Sequence, residues 1–86
     1  MNVNFKKITI TTIDGNKEAV DLRLTVGNIL YMQGRNIEEC ELGGAIYHSD
    51  GDMELTDEQA ATVTRYAAQL PYVFRMGIER AIRPSN

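Results

Sequence analysis

The stretch from Leu55 to Ile82 constrains the fold most, because it holds most of the bulky apolar residues of the C-terminal half. Thr56 and Gln59 have the spacing of a capping box, in which each side chain satisfies a backbone N–H at the start of a helix. Pro71 interrupts the helical pattern and suits the first turn of a new helix. We therefore predict two helices joined at Pro71, the first of them over 57–69. The apolar residues of the first helix recur at helical spacing: Ala60, Val63, Tyr66, Ala67 and Leu70.

A β-hairpin is predicted near the N-terminus. Residues 6–13 alternate isoleucine with threonine, and both residue types are β-branched and favour strands. Residues 17–24 resume a two-residue period after Asp14-Gly15-Asn16, which is a turn signal. The apolar face of the hairpin should pack on the rest of the chain, and its threonine-rich face should be wet.

The loop length sets the register of this hairpin. A two-residue loop would place Val20 opposite Thr9, whereas a three-residue loop would place it opposite Ile10. Only the second arrangement puts the aliphatic side chains of both strands on one face, including the pair Ile8 and Leu22. We predict the three-residue loop, with its last residue, an asparagine, in the left-handed conformation.

The middle of the chain carries two weaker helix signals. Thr25 can cap a short helix over 26–32, and Asn36 can cap a second helix over 37–47 with acidic residues in its first turn. Gly43-Gly44 weakens the second helix, so either that helix is short or the glycines let another backbone come close. Its apolar stripe is incomplete and runs through Ile37, Cys40 or Glu41, Gly44, Ala45, and Tyr47 or His48.

These elements predict an α+β fold. The N-terminal hairpin is followed by three to four short helices, and the last two helices form a pair separated by proline. A chain of 86 residues is expected to be one small globular domain over 1–86. We expect no deep, sealed catalytic cavity, because a domain of this size has a thin core.

Composition narrows the function classes. The net charge of −3 argues against wholesale binding to DNA or to membrane phosphates, which needs clustered lysine and arginine. Cys40 is the only cysteine, so no internal disulfide is possible and a reducing, cytoplasmic setting is expected. No apolar run approaches the roughly 20 residues of a membrane span, and no signal peptide is evident. We therefore expect no membrane partner.

The acidic loop at Asp50, Asp52 and Glu54 has the alternation that begins an EF-hand calcium loop. That motif also needs glycine at its sixth position and glutamate at its twelfth, where this chain has Leu55 and Ala61. The cage cannot close without them. We expect a solvated turn here, and no metal site.

Cys40 and His48 are the best candidates for a catalytic pair, since a thiolate beside an imidazole is a nucleophile. Neither residue lies in a recognisable catalytic signature, and a core thiol with a surface histidine explains both. The glycines form no phosphate-binding loop, and no serine lies in a nucleophile elbow. We therefore predict no catalytic residue and no cofactor.

The helix after Pro71 offers two candidate surfaces. Its apolar residues occupy successive positions and so lie all round the helix, which is typical of a helix that is enclosed or makes two interfaces. Gly77 and Ala81 would also allow another helix to approach closely. The candidate protein interface comprises Tyr72, Val73, Phe74, Met76 and Ile78. The candidate nucleic-acid contacts are Arg75, Arg80 and Arg83.

From these features we expect a small non-enzymatic intracellular protein with an interaction or regulatory role. Its size and layout are similar to those of accessory proteins of bacteria, phages and mobile elements. We expect self-association through the C-terminal helix, with a protein partner of another kind as the other possibility. The alternative is a nucleic-acid-associated factor that uses the C-terminal arginines. An enzyme would need a cleft that places Cys40 or His48 beside a carboxylate.

Overall fold

A computed structural model describes residues 1–82 and confirms the α+β architecture. Within these residues the N-terminal hairpin region is followed by four helices. In chain order the elements are β1 (Asn2–Val3), β2 (Ile8–Thr11), β3 (Lys17–Val20), α1 (Arg23–Gln33), α2 (Ile37–His48), β4 (Met53–Glu54), α3 (Asp57–Ala67) and α4 (Tyr72–Ile82). The strands form two antiparallel pairs, β2 with β3 and β1 with β4.

The hairpin β2–β3 has a three-residue loop, but the loop starts one residue earlier than predicted. Thr12 N–H donates to Asn16 O at 2.8 Å, and Gly15 N–H donates to Thr12 O at 2.9 Å. Gly15, with φ of 85°, takes the left-handed conformation that was assigned to the asparagine. Glycine has no Cβ to clash there, so it takes the position at lower cost.

The earlier loop corrects the predicted register. Ile8 lies opposite Val20, and Ile10 lies opposite Glu18. The shift is two residues, which preserves the alternation of faces, so both isoleucines remain buried. Leu22 is not in the strand: its N–H donates to Phe5 O at 2.8 Å, just before α1 begins.

A second strand pair joins the N-terminus to the segment after the acidic loop. β4 pairs with β1, and each strand is only two residues long, too short for a periodic pattern in the sequence. Val3 pairs with Met53, and Leu55 N–H donates to Met1 O at 2.8 Å. Two-residue strands are held by their neighbours rather than by propensity.

The start of α1 differs from the prediction, whereas the start of α2 agrees with it. Thr25 lies inside α1 and is not its cap. The carboxylate of Asp21 accepts from Arg23 N–H at 3.0 Å and pairs with its guanidinium at 2.8 Å, so the helix begins earlier. At α2 the Asn36 side chain accepts from Glu39 N–H at 2.9 Å, as expected for an N-cap.

Glycines at α1 and α2 allow the two helices to cross in close contact. A Cβ built on Gly27 would lie 2.8 Å from Gly43 O, and one on Gly43 would lie 2.6 Å from Tyr31 N. Gly43 therefore lets another backbone come close. Gly44 is different, because a Cβ there meets no atom within 4 Å.

The capping box of α3 is confirmed: Gln59 N–H donates to Thr56 Oγ1 at 3.1 Å, and Thr56 N–H donates to Gln59 Oε1 at 2.9 Å. The helix ends at Ala67, two residues before the predicted end. Pro71 precedes α4 rather than lying in its first turn, since its carbonyl accepts from Arg75 N–H at 3.0 Å.

The core lies where α4, the hairpin and α1–α3 meet. Helix α4 packs on β2 so closely that a Cβ on Gly77 would lie 2.8 Å from Thr9 O. Within residues 1–82 no helix is both long and apolar enough to cross a bilayer. The largest fully buried side chains are Phe5, Ile8, Leu30, Ile46, Leu55 and Ile78, with Val3, Val26 and Val63.

Candidate functional site

The predicted interface on α4 divides into an exposed part and a buried part. Tyr72 is 66% exposed, and Val73 is also exposed. Phe74 and Met76 are half-buried, with Phe74 packed against the core. Ile78 is fully buried, so its assignment to an accessible surface is corrected. Strand β2 covers that side of the helix, a long-range contact that the spacing of apolar residues does not reveal.

The described candidate arginines of α4, Arg75 and Arg80, differ in their surroundings. Arg75 lies beside Glu79, with Nε 3.8 Å from Oε2, and its guanidinium lies 5.4 Å from the centre of the Tyr72 ring. Arg80 is exposed. Arg83 lies outside the described residues.

Cys40 and His48 are not placed for joint chemistry. They lie on the same helix, eight residues and hence about 12 Å apart along its axis. Cys40 is half-buried rather than in the core, with Sγ 3.4 Å from Tyr31 O. His48 is exposed, and its ring meets that of Tyr47 edge-on at 5.0 Å between centres.

The acidic loop is engaged by a lysine. Lys6 Nζ lies 3.0 Å from Asp50 Oδ1, and this hydrogen bond lowers the pKa of Asp50 below its ordinary value. Asp52 is exposed. Across 1–82 no three side chains of the metal-binding types come together in one group.

The carboxylate of Glu39 on α2 has three hydrogen-bond partners. It accepts from Arg35 N–H at 2.9 Å, from the Tyr66 hydroxyl at 2.6 Å and from Arg65 at 2.5 Å. These bonds, the backbone N–H first among them, lower the pKa of Glu39 to about 2. The carboxylate is therefore ionised at neutral pH and fully occupied. It joins the α1–α2 connection to α3 rather than serving as an acid catalyst.

A shallow depression of about 580 Å³ lies beside this carboxylate, between α2 and α3. Glu38, Glu58 and Thr62 contribute to its lining, and it is open to solvent. Among the described residues its glutamates belong to no metal-binding group, and the Thr62 hydroxyl donates to Glu58 O at 3.0 Å. We assign it no chemistry.

The structure also shows an apolar groove that the sequence interpretation missed. It has a volume of about 390 Å³, lies along the seam of α1 and α2, and we call it the α1–α2 groove. Ile37 and Tyr31, which are 72% and 59% exposed, form much of its wall. The other side chains and backbone that line it belong to Gly34, Arg35, Asn36, Cys40, Glu41 and Gly44. A smaller concavity of about 180 Å³ continues past Tyr31 to Tyr47 and His48.

The sequence shows the apolar stripe of α2 that forms this groove, but it does not show whether the stripe faces the core or the solvent. The buried residues of α2 are Leu42, Gly43 and Ile46. The incomplete stripe that runs through Ile37 and Gly44 therefore faces solvent, roughly opposite the core-facing side. A stripe that is too sparse for a core face can be an exposed apolar face instead.

Comparison with known proteins adds no relative: no family model, no curated protein and no solved structure matches the chain.

Proposed function

We propose that this protein is a non-enzymatic interaction protein that self-associates through the outer face of the α1–α2 pair. The observation that carries the proposal is the position of its exposed apolar side chains. Of the eight large exposed apolar residues within 1–82, five lie on α1 and α2: Leu24, Tyr31, Met32, Ile37 and Tyr47. Contiguous apolar surface on a small protein marks an interaction site more often than a scatter of single residues does.

The groove supports this proposal over binding at α4. On α4 only Tyr72 and Val73 are exposed large apolar side chains, and Phe74 and Met76 are half-buried. The groove instead combines exposed apolar side chains with a shallow depression that is open to solvent, which suits contact with a protein surface. An interaction role also fits the placement of Cys40 and His48, which are too far apart to act on one substrate atom.

Mass in solution tests the proposal, using two matched tyrosines. Tyr31 and Tyr72 are similarly exposed, one in the groove and the other on α4. Tyr31→Ser should lower the weight-average mass at a given concentration, as measured by sedimentation equilibrium, and Tyr72→Ser should leave it unchanged. A strictly monomeric parent protein at high micromolar concentration would refute self-association. The reverse pattern in the two variants would move the interface to α4.

The alternative, association with nucleic acid, now depends on Arg80 among the described arginines of α4, because Arg75 lies beside Glu79. It predicts retention on DNA or RNA that weakens with salt and with Arg80→Gln. If the protein is not retained at low salt, this alternative is ruled out.

A further inference from the structure

Ile13 is the most exposed large apolar side chain in residues 1–82. Its relative exposure is 102%, at the tip of the β2–β3 hairpin. The loop itself does not need an isoleucine, because the left-handed position is taken by Gly15 and the first turn position accepts most residue types. An isoleucine held entirely in water stabilises nothing within its own chain. Its burial would come only from contact with another molecule.

The α1–α2 groove has the features of a receptor for such a side chain. Its exposed wall is mainly apolar, and its volume of about 390 Å³ is open to solvent, so a side chain from another molecule can enter it. Gly44 contributes to its lining with no atom within 4 Å of a built Cβ. Glycine is unfavourable inside a helix, and packing within this chain does not require a glycine at position 44. An incoming group can therefore approach the α2 backbone at this position.

The tip and the groove each carry one acidic and one basic side chain beside their apolar residues, which an oriented contact can pair. The hairpin tip carries Asp14 next to Ile13 and Lys17 three residues later, and both side chains are exposed. The groove is lined by Arg35 and Glu41, also exposed. Each sign at the tip therefore has its opposite at the groove. Exposed charges of this kind contribute orientation and specificity more than affinity.

We propose that the hairpin tip of one copy, led by Ile13, docks in the α1–α2 groove of a second copy. This inference rests on the proposed self-association and names the surfaces that meet. The tip and the groove are different parts of one chain, so the contact is heterologous. Each molecule can use both, which produces head-to-tail chains, or a ring if the rotation between copies closes.

Two variants remove one side of the contact each. Ile13→Asp replaces the apolar side chain at the tip and leaves the core unchanged. Gly44→Leu fills the groove at a position where a side chain has open space. Tyr72→Asp is the matched control, because Tyr72 is exposed on α4 and does not line the groove. Circular dichroism and thermal melting verify that all three variants fold.

Sedimentation velocity over a range of concentrations then gives the result. The parent protein and Tyr72→Asp should show a mass that rises with concentration to the same extent. Ile13→Asp and Gly44→Leu should each associate at least about tenfold more weakly than the parent, because each prevents burial of the Ile13 side chain in the groove. An equimolar mixture of the two variants should stop at the dimer, since it holds one intact tip and one intact groove.

Three outcomes would overturn the inference. If the parent associates and Ile13→Asp associates equally well, self-association stands but the docking mode is wrong. If each variant alone is monomeric and the mixture is too, the tip and the groove do not meet each other. If the parent is monomeric throughout, both this inference and the proposed self-association fail.

Discussion

Helix α4 and helix α2 both carry apolar residues on more than one side. On α4 the strand β2 buries residues on one of those sides, whereas on α2 a comparable side is exposed to solvent. On α4 the fully buried residues include Ile78, and strand β2 covers that side. On α2 the buried side is Leu42, Gly43 and Ile46, while Ile37 is left in solvent. Apolar content therefore does not distinguish a buried helix from an exposed one. The neighbouring element decides.

The largest expected difference in stability is between alanine variants of Ile78 on α4 and of Ile37 on α2. Ile78→Ala should destabilise the protein by about 2–5 kcal/mol, because it opens a cavity in the core. Ile37→Ala should change stability by less than about 0.5 kcal/mol, because its side chain is mostly in water. Urea denaturation measures both. Similar losses in the two variants would contradict the assignment of Ile37 to the surface.

The adjacent glycines Gly43 and Gly44 test the same contrast between the buried and the exposed side of α2. Gly43→Ala should cost about 1–3 kcal/mol, since its Cβ would meet backbone atoms of α1 at 2.6 and 2.7 Å. Gly44→Ala should stabilise the helix by about 0.5–1 kcal/mol, because its Cβ has open space. Thermal melting of the two variants should therefore give shifts of opposite sign. Equal shifts would show that α1 and α2 do not cross at Gly43.

The Glu39 carboxylate, which holds α2 against α3, should make stability depend on acid. Its folded pKa of about 2 is lower than its ordinary value of 4.5, so its contribution is complete above that ordinary value. The contribution should be lost as pH falls from about 5 to 2. Glu39→Gln should show a flatter decline of unfolding midpoint across this range. An unchanged decline would place the acid sensitivity on other carboxyl groups.

The ion pair between Arg75 and Glu79 on α4 should have the smallest effect on stability. Arg75 and Glu79 are an i, i+4 pair at 3.8 Å with both side chains partly in solvent. Glu79→Gln should change stability by less than about 0.5 kcal/mol, and added salt should reduce even that. The variant and its parent can be compared by urea denaturation at low and high salt. A larger, salt-insensitive loss would indicate that the Arg75 guanidinium depends on this carboxylate.

The fold class was predictable because its signals are local. The capping box at Thr56 and Gln59 and the cap at Asn36 satisfy N–H groups within three residues of themselves, so spacing alone identifies them. The candidate site was not predictable to the same degree. Whether Ile78 or Ile37 reaches solvent depends on which helix the hairpin covers, and no pattern within either helix contains that information.

The sequence by itself determined the helix starts at Ile37 and Asp57, the break at Pro71 and the alternation of faces in the hairpin. Each of these follows from hydrogen bonds or steric limits among close neighbours in the chain. The tertiary structure alone decided the pairing of β1 with β4, the inward face of α2 and the different surroundings of Gly43 and Gly44. These depend on contacts between residues far apart in sequence, and such contacts form only when the elements pack.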